Sequence, residues 1–223
     1  MRFADALCIR PGVTAIIGGG GKTTLMERLA QELSARARVI VCTTTHIFPE
    51  KTMPCLVSPS VWAVSNALAQ TSCVCVGSVA ENGKFGPPEL SFTELCKLTD
   101  YVIAEADGAK RLPLKAHAAH EPVIPSEANQ TILVAGLSGF GKPARESVHR
   151  AQLFADALGT EQDAPVTATM WTEFVNREAL HTRVLLNQAD IPGGEALARR
   201  IAAGLLTPVC AGSLQKGWVT CLY

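Results

Sequence analysis

Short apolar runs alternate along the chain with stretches whose apolar residues recur every three or four positions. Val13-Thr14-Ala15-Ile16-Ile17, Val39-Ile40-Val41-Cys42, Tyr101-Val102-Ile103-Ala104, Thr131-Ile132-Leu133-Val134-Ala135, Arg183-Val184-Leu185-Leu186 and Pro208-Val209-Cys210-Ala211 are continuous rather than alternating, as in strands buried on both faces. Residues 73–76 form a further short strand, and residues 218–222 close the chain as an edge strand. Between the first two runs, Leu25, Leu29, Ala30 and Leu33 fall at helical spacing, with Glu27, Arg28, Gln31 and Glu32 between them, so a helix is expected over residues 25–35. The same spacing predicts helices over residues 61–69, 91–98, 147–158, 170–179 and 193–205, and residues 81–84 read as a tight turn. Strands alternating with helices define an α/β protein with a mainly parallel sheet and helices on both faces. The 223 residues suit a single domain, which at this length buries on the order of 70% of its unfolded surface.

The first strand runs into Gly18-Gly19-Gly20-Gly21-Lys22-Thr23-Thr24, directly before a helix. Consecutive glycines let the backbone turn its N–H groups toward an anion, and a helix N-terminus adds partial positive charge. Lys22 supplies a point charge for β- and γ-phosphates, and the Thr23 hydroxyl a ligand for Mg²⁺. The longer loop pattern G-x-x-x-x-G-K-[ST] would need glycine at position 16, which is Ile16, so the match is the shorter G-x-x-G-K-T-T from Gly18. This variant resembles the loop of Mur-type ligases and does not by itself choose between ATP and GTP. It makes the fold expectation a P-loop NTPase-like one.

Two further strand ends carry chemistry. The run 101–104 delivers Glu105-Ala106-Asp107-Gly108, an acidic position suited to Mg²⁺, with both carboxylates on one side if the strand continues; Lys22, Glu105 and Asp107 are the catalytic candidates, and Thr23, Glu105 and Asp107 the metal ligands. The run 183–186 delivers Asn187-Gln188-Ala189-Asp190, which resembles the base-reading N-K-x-D of GTPases, with Gln188 in place of lysine. A carboxylate at Asp190 accepts hydrogen bonds from guanine N1–H and the 2-amino group, which adenine lacks; Asn187 meets the opposite base edge or ties this loop to the phosphate loop. Gly18, Gly19, Gly20, Gly21, Lys22, Thr23, Thr24, Asn187 and Asp190 thus form the expected nucleotide site. Thr43-Thr44-Thr45-His46 offers a second hydroxyl to Mg²⁺ or a polar lid, or merely caps a strand end. Residues 108–130, with Lys110, Arg111, Lys115, His117, His120 and Glu121, read as a lid or substrate loop.

Composition narrows the partners. Twenty basic and twenty acidic residues cancel and no Lys/Arg run occurs, which argues against nucleic acid or an anionic membrane as ligand. Eight cysteines lie scattered in apolar runs without C-x-x-C spacing, and the N-terminal residues lack the basic-then-apolar order of a secretory signal; a cytoplasmic protein is expected.

Together, the loop 18–24, the cluster 43–46, the segment 105–125 and the motif 186–190 resemble the YqeC family. That resemblance implies an accessory protein of selenium-dependent molybdenum hydroxylases: a Mg²⁺- and GTP- (or ATP-) binding protein whose partner is a molybdenum hydroxylase or a cofactor-biosynthesis enzyme. Analogy with other switch NTPases points to a homodimer. The alternative reading is an ATP-dependent ligase or kinase acting on a small cofactor precursor.

Overall fold

A computed structural model describes residues 1–46, 53–80 and 85–222. In chain order the elements are α1 (Phe3–Ala6), β1 (Gly12–Gly18), α2 (Lys22–Ser34), β2 (Val39–Thr43), β3 (Cys55–Val57), α3 (Val61–Gln70), β4 (Cys73–Val79), β5 (Phe85–Gly86), α4 (Phe92–Leu98) and β6 (Tyr101–Glu105). They continue with β7 (Leu114–Lys115), β8 (Ala128–Gly136), α5 (Ala144–Ser147), β9 (Val148–His149), α6 (Ala151–Leu158), α7 (Ala168–Glu178), β10 (Arg183–Asn187), α8 (Gly194–Ala202), β11 (Val209–Ser213) and β12 (Trp218–Leu222).

The main sheet has the order β12-β11-β10-β8-β1-β6-β2-β4-β3, with β5 paired to β4. Its interior pairings are parallel; β12 on β11 and β5 on β4 are antiparallel. The apolar runs act as expected of two-sided strands. Ile16 packs with Leu25, Met26, Leu29 and Leu33 of α2 on one face, while Ala15 and Ile17 face Phe154, Trp171 and Phe174 of α6 and α7 on the other. Toward the β3 end that second face is covered by α3 and α4, through Val64, Leu68 and Leu95. A capping box fixes the start of α4: the Ser91 hydroxyl accepts from Glu94 N–H, and the Glu94 carboxylate accepts from Ser91 N–H at 2.8 Å.

β1 lies between β6 and β8, with Ile16 opposite Glu105 and Gly18 opposite Val134. From β1 the chain first builds the sheet toward β3 and later returns to add β8, β10, β11 and β12 on the other side. The carboxyl end of β1 is therefore a topological switch point, where neighbouring loops diverge and leave a crevice.

One expected element is corrected. The helix predicted over residues 147–158 is split: α5 ends at Ser147, Val148 and His149 form β9, and α6 starts only at Ala151. The cause is a long-range pairing, Leu114 with Val148 and Lys115 with His149, after which Arg150 adopts a left-handed conformation (φ 65°) that redirects the chain. Gly159 ends α6 in the left-handed conformation, as its position suggests. Helix α8 is shorter than expected, ending at Ala202; strand β4 is longer, reaching Val79. The turn read at residues 81–84 lies outside the described residues. Of the 108–130 segment, the last three residues belong to β8.

A candidate functional site: a glycine-turn cleft over a buried charge network

At the carboxyl end of β1 the chain makes a glycine turn that no side chain would fit. At Gly20 (φ 73°) a Cβ would lie 2.5 Å from Gly136 N, and at Gly21 (φ 134°) it would lie 2.6 Å from Asn187 Nδ2. The turn is held by its own amides: Gly18 N–H donates to Asp107 Oδ2 (2.9 Å), Gly19 N–H to the Val134 carbonyl (2.9 Å) and Gly20 N–H to the Leu112 carbonyl (3.1 Å). Gly18, Gly19 and Gly20 thus shape the loop, and their N–H groups already have acceptors. The donors left for a ligand belong to the start of α2, which has no side-chain cap on Gly21; the first-turn N–H groups of a helix have no intrahelical acceptor. They open into a cleft of about 1140 Å³, on whose wall Gly21, Lys22, Thr23 and Thr24 lie.

The Lys22 ammonium is buried under this turn. It donates to the Gly18 carbonyl (2.9 Å) and faces Asp107 Oδ1 at 3.2 Å and Glu105 Oε1 at 3.5 Å. Thr23 Oγ1 donates to Glu105 Oε2 at 2.8 Å, so a hydroxyl and a carboxylate meet at the cleft floor. Glu105 lines the cleft; Asp107 does not, and its side chain is fully buried. Asp107 Oδ2 accepts from Gly18 N–H and meets His117 Nε2 at 2.9 Å and Lys115 Nζ at 3.3 Å. Its Oδ1 has no hydrogen bond among the described residues and faces only the Lys22 ion pair.

Around Asp107 the charges continue inward. His117 Nδ1 meets Glu178 Oε2 of α7 at 2.9 Å, and the same carboxylate accepts from His117 N–H at 2.8 Å. Lys115 donates to the Gly108 carbonyl (2.6 Å) and to Glu121 (2.9 Å), which also accepts from Arg150 Nε (2.5 Å). The two acids depart from their ordinary values in opposite directions. For Glu105 burial dominates and its carboxyl is pushed up, with Lys22 and Thr23 opposing and Asp107 reinforcing. For Asp107 burial is outweighed by the His117 hydrogen bond, Lys22, Lys115 and Gly18 N–H, so its carboxyl is held low. Burial alone would lower His117, but its bonds to Asp107 and Glu178 prevail and raise it above 6.5.

These shifts set a pH dependence of stability. The contribution of His117 is fully present below pH 6.5 and is lost as pH rises through its raised folded value; that of Asp107 is present above pH 3.8 and is lost as pH falls through its lowered one. Urea midpoints measured between pH 6 and 9 are expected to fall toward the alkaline end, and His117→Gln is expected to flatten that fall. An equally steep decline in the variant would mean that another group carries it.

The second motif lies opposite. Asn187 Nδ2 donates to the Gly20 carbonyl (2.8 Å), and Asn187 Oδ1 accepts from Leu214 N–H (3.0 Å). Asn187 therefore ties the loops after β1, β10 and β11 together. Asp190 is exposed and lines the cleft. Gln188 sits at φ 67° and its side chain accepts from Ser138 N–H (3.2 Å). In the threonine cluster the hydroxyls are engaged: Thr43 with the Glu105 carbonyl (2.9 Å), Thr44 with the Val123 carbonyl (2.7 Å), and Thr45 with Thr43 (3.3 Å). Only His46 of the four reaches the cleft wall.

Sequence reasoning named Lys115, His117 and Glu121 but gave them no shared partner, and it missed Glu178 and His149. His117 and Glu178 are 61 residues apart, and no local spacing links them. No cluster of three or more His, Cys, Asp or Glu side chains able to hold a metal occurs among the described residues.

A mostly parallel sheet, a glycine turn into an uncapped helix, a buried lysine and an acid on the neighbouring strand are the features of a P-loop NTPase-like α/β fold. Comparison with known sequences is more specific. The chain belongs to the YqeC family: the family model described as YqeC protein matches residues 14–152. It is also 36% identical over 163 residues to a protein of Escherichia coli (strain K12) named uncharacterized protein YqeC, over 70% of this chain and 64% of that protein's length. The match thus spans less than two thirds of that relative. No helix among the described residues is long and apolar enough to cross a membrane.

Proposed function

We propose that this chain binds a nucleoside triphosphate with Mg²⁺, GTP ahead of ATP, and cleaves its terminal phosphate in the cytoplasm as a maturation factor for a selenium- or molybdenum-dependent hydroxylase. The observation that carries the reading is the convergence, at one cleft, of the uncapped start of α2, the Lys22 ammonium and the Thr23–Glu105 pair at 2.8 Å. Hard oxygen donors of this kind suit Mg²⁺ better than a soft metal.

In this reading the N–H groups of the first turn of α2 hold phosphate oxygens, and Lys22 moves its charge from Asp107 and Glu105 toward the β- and γ-phosphates. Thr23 and Glu105 hold the metal, which when bound neutralises phosphate charge. Asp107, enclosed by donors, acts as the anchor that positions the glycine turn and the segment after β6. Asp190 faces the base, and Asn187 fixes the loop that carries it. The hydroxylase partner and the homodimer rest on the family resemblance and on analogy, and are part of the same proposal.

Base reading has a direct test. Asp190→Ala is expected to reduce the preference for GTP over ATP by roughly 10- to 100-fold, the worth of hydrogen bonds to a charged acceptor, with little effect on ATP itself. An unchanged preference in competition titrations would remove guanine reading. A second reading, an ATP-dependent ligase or kinase on a small cofactor precursor, is favoured by one observation: the cleft continues beyond the phosphate turn to Lys110 and Arg111.

A further inference from the structure

The cleft carries cationic lining to which the nucleotide reading gives no role. Its volume is about 1140 Å³. Besides the glycine turn and the loops carrying Asn187, Asp190 and Leu214, the lining includes Lys110, Arg111, Ser138 and His149.

Lys110 and Arg111 stand out by conformation. Both are non-glycine residues with positive φ, 47° and 63°, side by side; such conformations are unfavourable and persist where surrounding structure imposes them. Here the pins are visible. Leu112 N–H donates to the Ala109 carbonyl (2.9 Å), Gly20 N–H to the Leu112 carbonyl (3.1 Å), and Gly136 N–H to the Pro113 carbonyl (2.8 Å). The segment is therefore fastened across the glycine turn and onto the end of β8. Its two cationic side chains are exposed at the cleft, and neither forms a hydrogen bond or ion pair with the described residues. Lys22 and Lys115, by contrast, are each paired with carboxylates.

His149 is half-buried on the same side, held in β9 by its pairing with Lys115. Burial and the charges of Lys115, Arg150 and Lys110 disfavour its imidazolium form, with Glu121 acting the other way, and its value is lowered from 6.5. A neutral imidazole at neutral pH can take a proton.

We propose that Lys110, Arg111 and His149 form a second-substrate subsite, which takes a small anionic molecule bearing a hydroxyl group and presents that hydroxyl to the terminal phosphate of the bound nucleotide. This rests on the nucleotide site proposed above and takes up its second, kinase-type reading, for which it names the phosphoryl acceptor. Lys110 and Arg111 hold the anionic part of the acceptor. The acceptor oxygen forms a bond to the γ-phosphorus as the bond from that phosphorus to the β,γ-bridging oxygen breaks. The nucleoside diphosphate leaves with the electron pair, and the proton of the hydroxyl passes to His149.

The test uses the full chain saturated with Mg²⁺ and the non-hydrolysable β,γ-imido analogue of GTP, titrated with inorganic phosphate as the anionic probe. Lys110→Asn with Arg111→Asn removes both charges and keeps a residue type that tolerates positive φ. The wild type is expected to bind phosphate saturably; the double variant is expected to bind it at least tenfold more weakly, with analogue affinity changed by less than twofold. Absence of saturable phosphate binding, or equal binding by the variant, overturns the subsite. A large loss of analogue affinity also overturns it, because the two cations then serve the triphosphate. If the wild type binds no analogue, the nucleotide reading fails and the subsite with it. For the proton step, NMR titration of His149 in the free protein is expected to give a midpoint below 6.5; a midpoint above it removes His149 as the base.

Discussion

Asp107→Ala is expected to destabilise the protein by about 3–5 kcal/mol, the typical result of stripping a buried charge of its partner. The variant leaves Lys115 and His117 buried without the carboxylate they meet at 3.3 and 2.9 Å, and it frees the Gly18 N–H that holds the glycine turn. Since domains are stable by only ~5–15 kcal/mol, the urea midpoint should drop far enough to be seen without Mg²⁺ or nucleotide present. Asp107→Asn keeps an acceptor for Gly18 but loses the charge, and should fall between. The comparison decides what Asp107 does: near-wild-type stability of the alanine variant, with Mg²⁺ dependence lost, would make it a metal ligand and not an anchor.

The second large effect is on binding. Lys22→Met keeps the aliphatic stem and removes the ammonium, and it is expected to weaken Mg²⁺–nucleoside triphosphate binding on the order of 100-fold, equivalent to about 2–3 kcal/mol for a lost charge-assisted contact. It also leaves Glu105 and Asp107 without the cation between them, and so should raise Glu105 further from its ordinary range and cost some stability. Thr23→Val helps to separate binding from stability: it removes the hydroxyl that meets Glu105 at 2.8 Å but leaves the Lys22 ammonium beside both acids. That variant should lose the Mg²⁺ dependence of binding, while its urea midpoint falls by no more than the loss of one hydrogen bond to a carboxylate, about 1–3 kcal/mol. Nucleotide affinity unaltered in Lys22→Met would dissociate the glycine turn from phosphate binding.

How far the sequence announced these roles depended on the reach of the forces involved. The run from Val13, the glycines and the periodic Leu25, Leu29 and Leu33 are local signals, and β1, the turn and α2 follow from them directly. Thr23 was legible beside an acid of β6 because each ends or begins a regular element at the same edge of the sheet, but the choice between Glu105 and Asp107 was not, since it depends on which carboxylate reaches the Thr23 hydroxyl. The orientation of the Gly18, Gly19 and Gly20 amides was not legible, because their acceptors are supplied by Asp107, β8 and Leu112. Helical spacing through residues 147–158 misled because Val148 and His149 gain more from pairing with Leu114 and Lys115 than from continuing a helix. Glu178 carried no signal at all: it is an acid near the end of an amphipathic helix until the fold brings His117 against it. Asp107 was read as an acid near a metal; its enclosure by Gly18 N–H, His117, Lys115 and Lys22 had no local signal, because those partners come from separate segments.

The measurement that bears most directly on this account is an equilibrium titration of the wild-type chain with GTP, ATP and CTP, each with and without Mg²⁺. The account predicts saturable, Mg²⁺-enhanced binding with GTP the tightest of the three; absence of binding to any of them would contradict it.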